Sequence, residues 1–225
     1  PGETLKYYYH ETVYRPSAES HTFKEIAQMG LEMLGAVDET AVEQAVCLAA
    51  QSLEQLGRPW VLEVSHMGYL FGLFDALGVP ETARPGLLAA LRAKNIHELR
   101  AAAAAAGLEG TGADALTALL ELSGDYAAVL PKAEALCRNA RMREAAAELR
   151  TLAAPLAQAG GTARLDLTLA GEMEYYNGLV FQGYLRSLPR PLLKGGRYDL
   201  LMQKFTPGAG AIGFAVYLDE LDRLS

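Results

Sequence analysis

The chain has 225 residues, of which 51% are hydrophobic and 21% charged, a balance typical of a globular protein rather than a disordered one. Its formal charge is −7, a sign that opposes a phosphate backbone, and no stripe of lysine and arginine offsets it locally. The cysteines and histidines show no metal-ligand spacing, and no apolar run reaches the roughly 20 residues of a membrane span. We therefore expect a cytoplasmic protein with no metal, no cofactor and no membrane contact.

The first zone of the chain is strand-like. Residues 5–14 are rich in tyrosine and β-branched residues, and residues 23–34 resume an alternating pattern after a Pro-, Ser- and His-containing turn at 15–22. The two runs predict an antiparallel pair of strands. Because the pattern begins within a few residues of Pro1, we expect part of the fold to precede it.

The middle zone is mostly helical. Asp38 is a suitable N-cap for a helix with apolar residues at helical spacing, closed by Gly57. Residues 60–64 predict a short strand, and the alanine-rich segments that follow, including 101–106, predict helices. We expect a mostly helical insertion at about residues 80–160, lying over a sheet.

The last zone returns to strands. We predict strands at 165–169, where the residues alternate, and at 175–184. Gly195-Gly196 predicts a tight turn, residues 200–205 a short helix, and residues 210–216 a strand of small residues. Strands, then helices, then strands indicate an α+β fold around an antiparallel sheet.

Three short patterns could carry chemistry. In a strand, Gln28, Gly30 and Glu32 share one face, so an amide and a carboxylate would flank a residue without a side chain. Residues 175–178 predict a phenol on each side of a strand followed by a glycine, and residues 195–199 predict a turn with an Arg–Asp pair. Taken singly, each pattern also fits an ordinary solvent-facing strand or a packed tyrosine.

Read together and in order, these segments resemble the catalytic core of histidyl-tRNA synthetase, a class II enzyme. The resemblance covers residues 1–225, with the helical middle at the place of the family's insertion. Four segments carry the resemblance. Residues 13–15 with 25–32 resemble motif 2, and residues 174–181 resemble the histidine-pocket signature. Residues 194–199 resemble the Gly-Gly-Arg-Tyr-Asp turn, and residues 213–221 resemble motif 3.

The resemblance implies a histidine pocket. Gln28 would hold the α-amino group, Glu32 and Tyr176 would bracket the imidazole nitrogens, and Tyr175 would line the pocket. Arg15 stands where the family contacts the α-phosphate of ATP, and it is a further candidate contact.

The departures from the family's pattern concern catalysis. Gly171 and Glu220 stand where the family has arginines, and Ser17 replaces a glutamate of motif 2. Loss of one preorganised charge-stabilising contact costs about 3–4 kcal/mol in the transition state. We therefore expect no catalytic residue and no aminoacylation, while histidine recognition is retained.

This division resembles the regulatory subunits of short-form ATP phosphoribosyltransferase in histidine biosynthesis. It implies L-histidine as ligand, a separate catalytic subunit as partner, and a homodimer within a hetero-oligomer. A divergent synthetase core is an alternative, opposed by Gly171 and Glu220. An RNA-responsive paralogue is another, opposed by the net charge, so tRNA is not an expected partner.

Overall fold

The structure is a computed structural model that describes residues 2–16, 23–169 and 175–224. The chain forms two compact units. The first contains Pro1–Leu62, Ala159–Thr162 and Phe181–Ser225, and the second contains Glu63–Gln158 and Ala163–Val180.

The described strands are numbered in chain order: β1 (Thr4–Pro16), β2 (Phe23–Gly35), β3 (Trp60–His66), β4 (Ser123–Asp125), β5 (Thr162–Asp166), β6 (Leu179–Leu185), β7 (Leu193–Arg197) and β8 (Gly210–Tyr217). The described α-helices are α1 (Glu39–Glu54), α2 (Met67–Ala76), α3 (Arg84–Arg92), α4 (Ile96–Ala105), α5 (Thr111–Ala118), α6 (Tyr126–Ala135), α7 (Ala140–Ala157), α8 (Asp199–Met202) and α9 (Leu218–Leu221). Short 3-10 turns lie at Glu81–Ala83, Leu119–Glu121 and Asp222–Leu224.

The sheet of the first unit has the strand order β1-β2-β8-β7-β6. β1 and β2 pair antiparallel along their whole lengths, from Thr4 opposite Gly35 to Pro16 opposite Phe23. β2 with β8, and β8 with β7, are also antiparallel. The predicted pair of N-terminal strands and the α+β class are therefore confirmed.

Helix α1 covers one face of this sheet. The Asp38 side chain accepts a hydrogen bond from the Ala41 N–H at 2.9 Å, which confirms the predicted N-cap. The buried stripe of α1 runs from Ala41 to Leu53, and the Leu53 side chain packs over Gly183 of β6. The helix ends at Glu54, three residues before Gly57, whose φ of +61° closes the turn.

The predicted turn at Gly195-Gly196 is wrong. Both glycines lie inside β7 and are buried, and neither has a positive φ. A side chain at Gly195 would lie 2.5 Å from the Phe181 ring, so this glycine serves close packing within the sheet rather than a reversal of the chain.

Two other strand boundaries differ from the prediction. The strand predicted at 165–169 is β5 and ends at Asp166, where the carboxylate accepts hydrogen bonds from the backbone and hydroxyl of Thr168. The strand predicted at 175–184 is β6 and begins only at Leu179. The short helix predicted at 200–205 is confirmed as α8, although it spans only Asp199–Met202.

The second unit holds the second half of β3, most of β5 and all of β4, in the strand order β3-β5-β4, together with α2 to α7. Helices dominate between residues 81 and 157, as expected from the alanine-rich sequence, although β4 interrupts them. Lys94 and Asp166 form an ion pair at 2.5 Å, with Asp166 almost fully buried. The assignment of residues 80–160 as an insertion stays a prediction.

Candidate functional site

The two faces of β2 differ in chemistry, as the alternation predicts. Met29 and Leu31 line an apolar cavity on the α1 side of the sheet, together with side chains of that helix. Gln28, Gly30 and Glu32 face the other way. The Tyr9 ring of β1 lies over Gly30 on that side, where a side chain would come within 2.7 Å of it.

Gln28 has one satisfied and one unsatisfied amide atom. Its side chain is only 7% exposed, and its Nε2 donates a hydrogen bond to the Tyr9 hydroxyl at 3.1 Å. Among the described residues, no group donates a hydrogen bond to the buried Oε1. A buried carbonyl oxygen left unpaired costs free energy, so a ligand N–H group would find a ready acceptor here.

Glu32 stands over a floor of glycine. It pairs with Gly213 of β8, which in turn pairs with Gly196 of β7. The carboxylate lies in the space that a side chain at Gly213 would fill. Glycine at position 213 therefore makes room for the Glu32 carboxylate, which a side chain there would displace.

The Glu32 carboxylate is held by a short hydrogen bond from the Tyr198 hydroxyl. Burial raises the pKa of Glu32 above its usual value, and the hydrogen bond from Tyr198 offsets only part of that rise. A partly desolvated carboxylate in fixed orientation can accept a hydrogen bond from an imidazole N–H or an ammonium group.

Tyr175 and Tyr176 belong to the second unit and precede β6, so the prediction of a phenol on each side of a strand is wrong. Their rings are tilted against each other with centroids 4.8 Å apart, and both side chains are half-buried. The carbonyl of Gly178 accepts a hydrogen bond from the Met67 N–H at the start of α2, immediately before β6 begins.

Arg15 is exposed near the end of β1. Glu11 is the residue of β1 that pairs with Gln28, and Arg15 lies four residues further along β1. Four residues of a strand span about 13 Å. The arrangement does not bring Arg15 into contact with Gln28, and its role as a pocket contact stays a prediction.

Glu220, at the expected arginine position of motif 3, is buried in α9. Its Oε2 lies 3.4 Å from Nε of Arg223 without forming a hydrogen bond. Ser17 and Gly171, the other two departures, lie outside the described residues.

Sequence reasoning assigned no role to the tyrosines that orient the two polar side chains. Tyr9 alternates with Tyr7 and Glu11 on β1, and this period of two could have placed it on a shared face. The register that brings Tyr9 to Gln28, and the fold that brings Tyr198 to Glu32, are not encoded in local spacing.

Two further kinds of site are absent from the described residues. No group of three or more His, Cys, Asp or Glu side chains there could hold a metal ion. Among the helices of residues 2–16, 23–169 and 175–224, none is long and apolar enough to cross a membrane.

Comparison with known proteins gives consistent matches along the chain. The family model of histidyl-tRNA synthetase matches residues 2–221. The ATP phosphoribosyltransferase regulatory subunit of Shouchella clausii is 36% identical over 222 residues, covering 96% of this chain and 56% of the relative. The chain spans about half the length of the curated relatives it matches.

Solved structures agree with this match. An ATP phosphoribosyltransferase regulatory subunit/histidyl-tRNA synthetase from Bacillus halodurans is 32% identical with a TM-score of 0.83, covering 96% of this chain and 57% of that one. A histidine–tRNA ligase subunit from Alicyclobacillus acidocaldarius is 28% identical with a TM-score of 0.77, covering 96% and 68%. The antiparallel sheet with α1 on one face is thus similar to folds already solved.

Proposed function

The chain belongs to the histidyl-tRNA synthetase family, and from that premise we propose that it is a non-catalytic regulatory subunit that binds L-histidine. Its partner would be the catalytic subunit of a short-form ATP phosphoribosyltransferase, with this chain as a homodimer within the hetero-oligomer. Histidine would then act as a feedback inhibitor of the first step of its own biosynthesis. The regulatory-subunit name of the 36% identical relative supports this role.

Within the part of the chain that the structure describes, the buried Oε1 of Gln28 has no hydrogen-bond partner, and this observation carries the proposal. An α-ammonium group supplies N–H donors for such an acceptor, and a charged donor makes a stronger bond than a neutral one. The Tyr9 hydroxyl engages Nε2 at 3.1 Å, which orients the amide so that the oxygen is left for the ligand.

Glu32 would recognise the imidazole ring. Its carboxylate is largely buried and is held by the hydrogen bond from Tyr198, so an acceptor is fixed in orientation before the ligand arrives. The imidazole N–H would donate to Glu32. Tyr175 and Tyr176 remain proposed histidine contacts on the strength of the family resemblance.

The lack of catalysis is proposed from the replaced residues. Glu220 places a buried carboxylate at the position where the family's motif 3 has an arginine for ATP phosphates. Like charges repel, so this residue would oppose triphosphate binding rather than only fail to assist it. Gly171 and Ser17 remove two more groups that the family uses around the activated substrate.

The test is to mix the protein with the short-form phosphoribosyltransferase of the same organism and to follow phosphoribosyl-ATP formation with and without L-histidine. We expect the chain to stimulate the enzyme and histidine to reverse the stimulation. A coupling of about 1–3 kcal/mol corresponds to a change of roughly 5- to 150-fold in histidine affinity. No effect on a competent catalytic subunit would remove the proposal.

Two variants separate the histidine pocket from the rest of the fold. Glu32→Ala should abolish the response to histidine while leaving stimulation in its absence. Glu25→Gln changes an exposed carboxylate on the same strand but on the opposite face, and it should behave like the unaltered chain. Equal responses from both variants would contradict the assignment of Glu32.

A divergent histidyl-tRNA synthetase core is the second candidate, favoured by the similarity to the histidine–tRNA ligase subunit from Alicyclobacillus acidocaldarius. Histidine-dependent exchange of pyrophosphate into ATP distinguishes it. We expect no exchange above background, and exchange at a synthetase-like rate would replace the regulatory proposal.

A further inference from the structure

The second unit contains a cavity of about 290 Å³ with no assigned role. Its lining includes buried apolar side chains from α2 and α7, namely Tyr69, Leu73 and Met142, and from the segment after α5, namely Leu119 and Leu122. The cavity is open to solvent at its rim, and its apolar lining offers a water molecule few hydrogen-bond partners. The volume suits a ligand smaller than a typical drug.

Two side chains of opposite charge line the same cavity. Asp114, in the first turn of α5, and Arg138, between α6 and α7, both contribute to its wall and are both exposed. Within the described residues, neither side chain forms an ion pair or hydrogen bond with the other or with a third group. A ligand with both an ammonium and a carboxylate group would satisfy both.

The wall formed by α5 is weakly anchored. Leu116 is the single buried residue of that helix in the described structure. The connection from α4 contains Gly107 and Gly110, both at positive φ and both in open space. A short helix with one buried anchor and a glycine-rich connection can open locally at low cost, which provides a route of entry.

We propose that this cavity binds a free amino acid with an aliphatic side chain. The side chain contacts the apolar lining, Arg138 binds the α-carboxylate as a planar two-donor group, and Asp114 binds the α-ammonium group. This site is separate from the polar sheet face of the first unit and does not depend on the function proposed for it.

The test measures binding of L-leucine to the isolated protein by calorimetry, beside L-leucinamide and N-acetyl-L-leucine, which lack the carboxylate and the ammonium group respectively. We expect L-leucine to bind and each blocked analogue to bind about tenfold more weakly or not at all. Absence of L-leucine binding up to about 10 mM, or equal binding of the three compounds, would overturn the proposal.

Matched variants locate the site. Arg138→Gln and Asp114→Asn alter exposed side chains and should leave the fold intact while each weakens L-leucine about tenfold. Arg143→Gln removes a nearby exposed arginine on α7 that does not line the cavity, and it should leave the affinity unchanged. If all three variants bind L-leucine alike, binding occurs elsewhere and the cavity assignment is wrong.

Hydrogen exchange provides a second measurement. L-leucine should slow exchange of the α5 amides, because the ligand adds apolar contacts to a helix that has only Leu116 buried. Protection confined to the sheet of the first unit would place the ligand in the wrong unit and contradict the proposal.

Discussion

Each of the two polar side chains on the β2 face has a tyrosine partner. Tyr9 engages the amide of Gln28, and Tyr198 engages the carboxylate of Glu32. A binding group held in its working orientation before the ligand arrives loses less conformational entropy on binding. The tyrosines therefore act as positioning residues for the proposed histidine contacts.

Tyr198→Phe should weaken histidine binding about three- to tenfold without abolishing it, because the carboxylate remains but is no longer held. The lost hydrogen bond had lowered the pKa of Glu32, so the pKa should rise further in the variant. The acid limb of the pH profile of histidine affinity should move to higher pH. Tyr8→Phe, at a side chain 90% exposed, is the matched control. An unmoved acid limb would show that Tyr198 does not act through Glu32.

Glu32→Gln tests the cost of a desolvated carboxylate. Because burial raises the pKa of Glu32 in the folded state, its contribution to stability is full below the unfolded pKa and is lost as pH rises through the folded pKa. The glutamine variant does not titrate. With both proteins free of ligand, its melting temperature relative to the unaltered chain should therefore increase as the pH rises above about 4.5, the ordinary pKa of a glutamate. A difference independent of pH would contradict the raised pKa.

Elements with strong local signals could be predicted from the sequence. The tyrosine-rich run and the alternating run correctly predicted β1 and β2. The Asp38 N-cap and the helical spacing of apolar residues after it correctly predicted α1. The glycines of residues 195–196 misled because glycine serves both turns and close packing, and local sequence does not show that Phe181 lies against Gly195. The tyrosines at 175–176 misled because strand propensity does not fix where a ladder begins.

Gly195→Ala should destabilise the protein by about 1–3 kcal/mol, the usual cost of overpacking a core. The added methyl would lie 2.5 Å from the Phe181 ring and 2.6 Å from the carbonyl oxygen of Gly213, and backbone cannot rotate away. Chemical denaturation measures the free energy of unfolding. Gly86→Ala, in α3 with open space around it, should instead stabilise by about 0.5–1 kcal/mol. If Gly195→Ala leaves the free energy of unfolding unchanged, the close packing at β7 is contradicted.

The candidate site residues of the first unit are distant in sequence and are brought together by the register of the strands. Glu32, Gly213 and Gly196 form one row across three strands, and Tyr198 follows β7. Period-two alternation predicted that Gln28 and Glu32 share a face, but it could not predict which residues lie across from them. The family resemblance is the basis for proposing L-histidine as the ligand, while the fold shows that Tyr9 and Tyr198 are hydrogen-bonded to Gln28 and Glu32.

Binding of histidine should appear as increased thermal stability of the protein. A ligand that binds only the folded state stabilises it by RT ln(1 + [L]/Kd), about 2.7 kcal/mol at a hundredfold excess over Kd. L-Histidine should therefore raise the melting temperature in a concentration-dependent way, whereas free imidazole, which cannot supply an ammonium group to Oε1 of Gln28, should have a much smaller effect. Gln28→Leu keeps the approximate volume but removes the acceptor, and it should lose the histidine-dependent shift. If the variant keeps the histidine-dependent shift in melting temperature, the ammonium group of histidine is bound by a group other than Gln28, because leucine offers no hydrogen-bond acceptor.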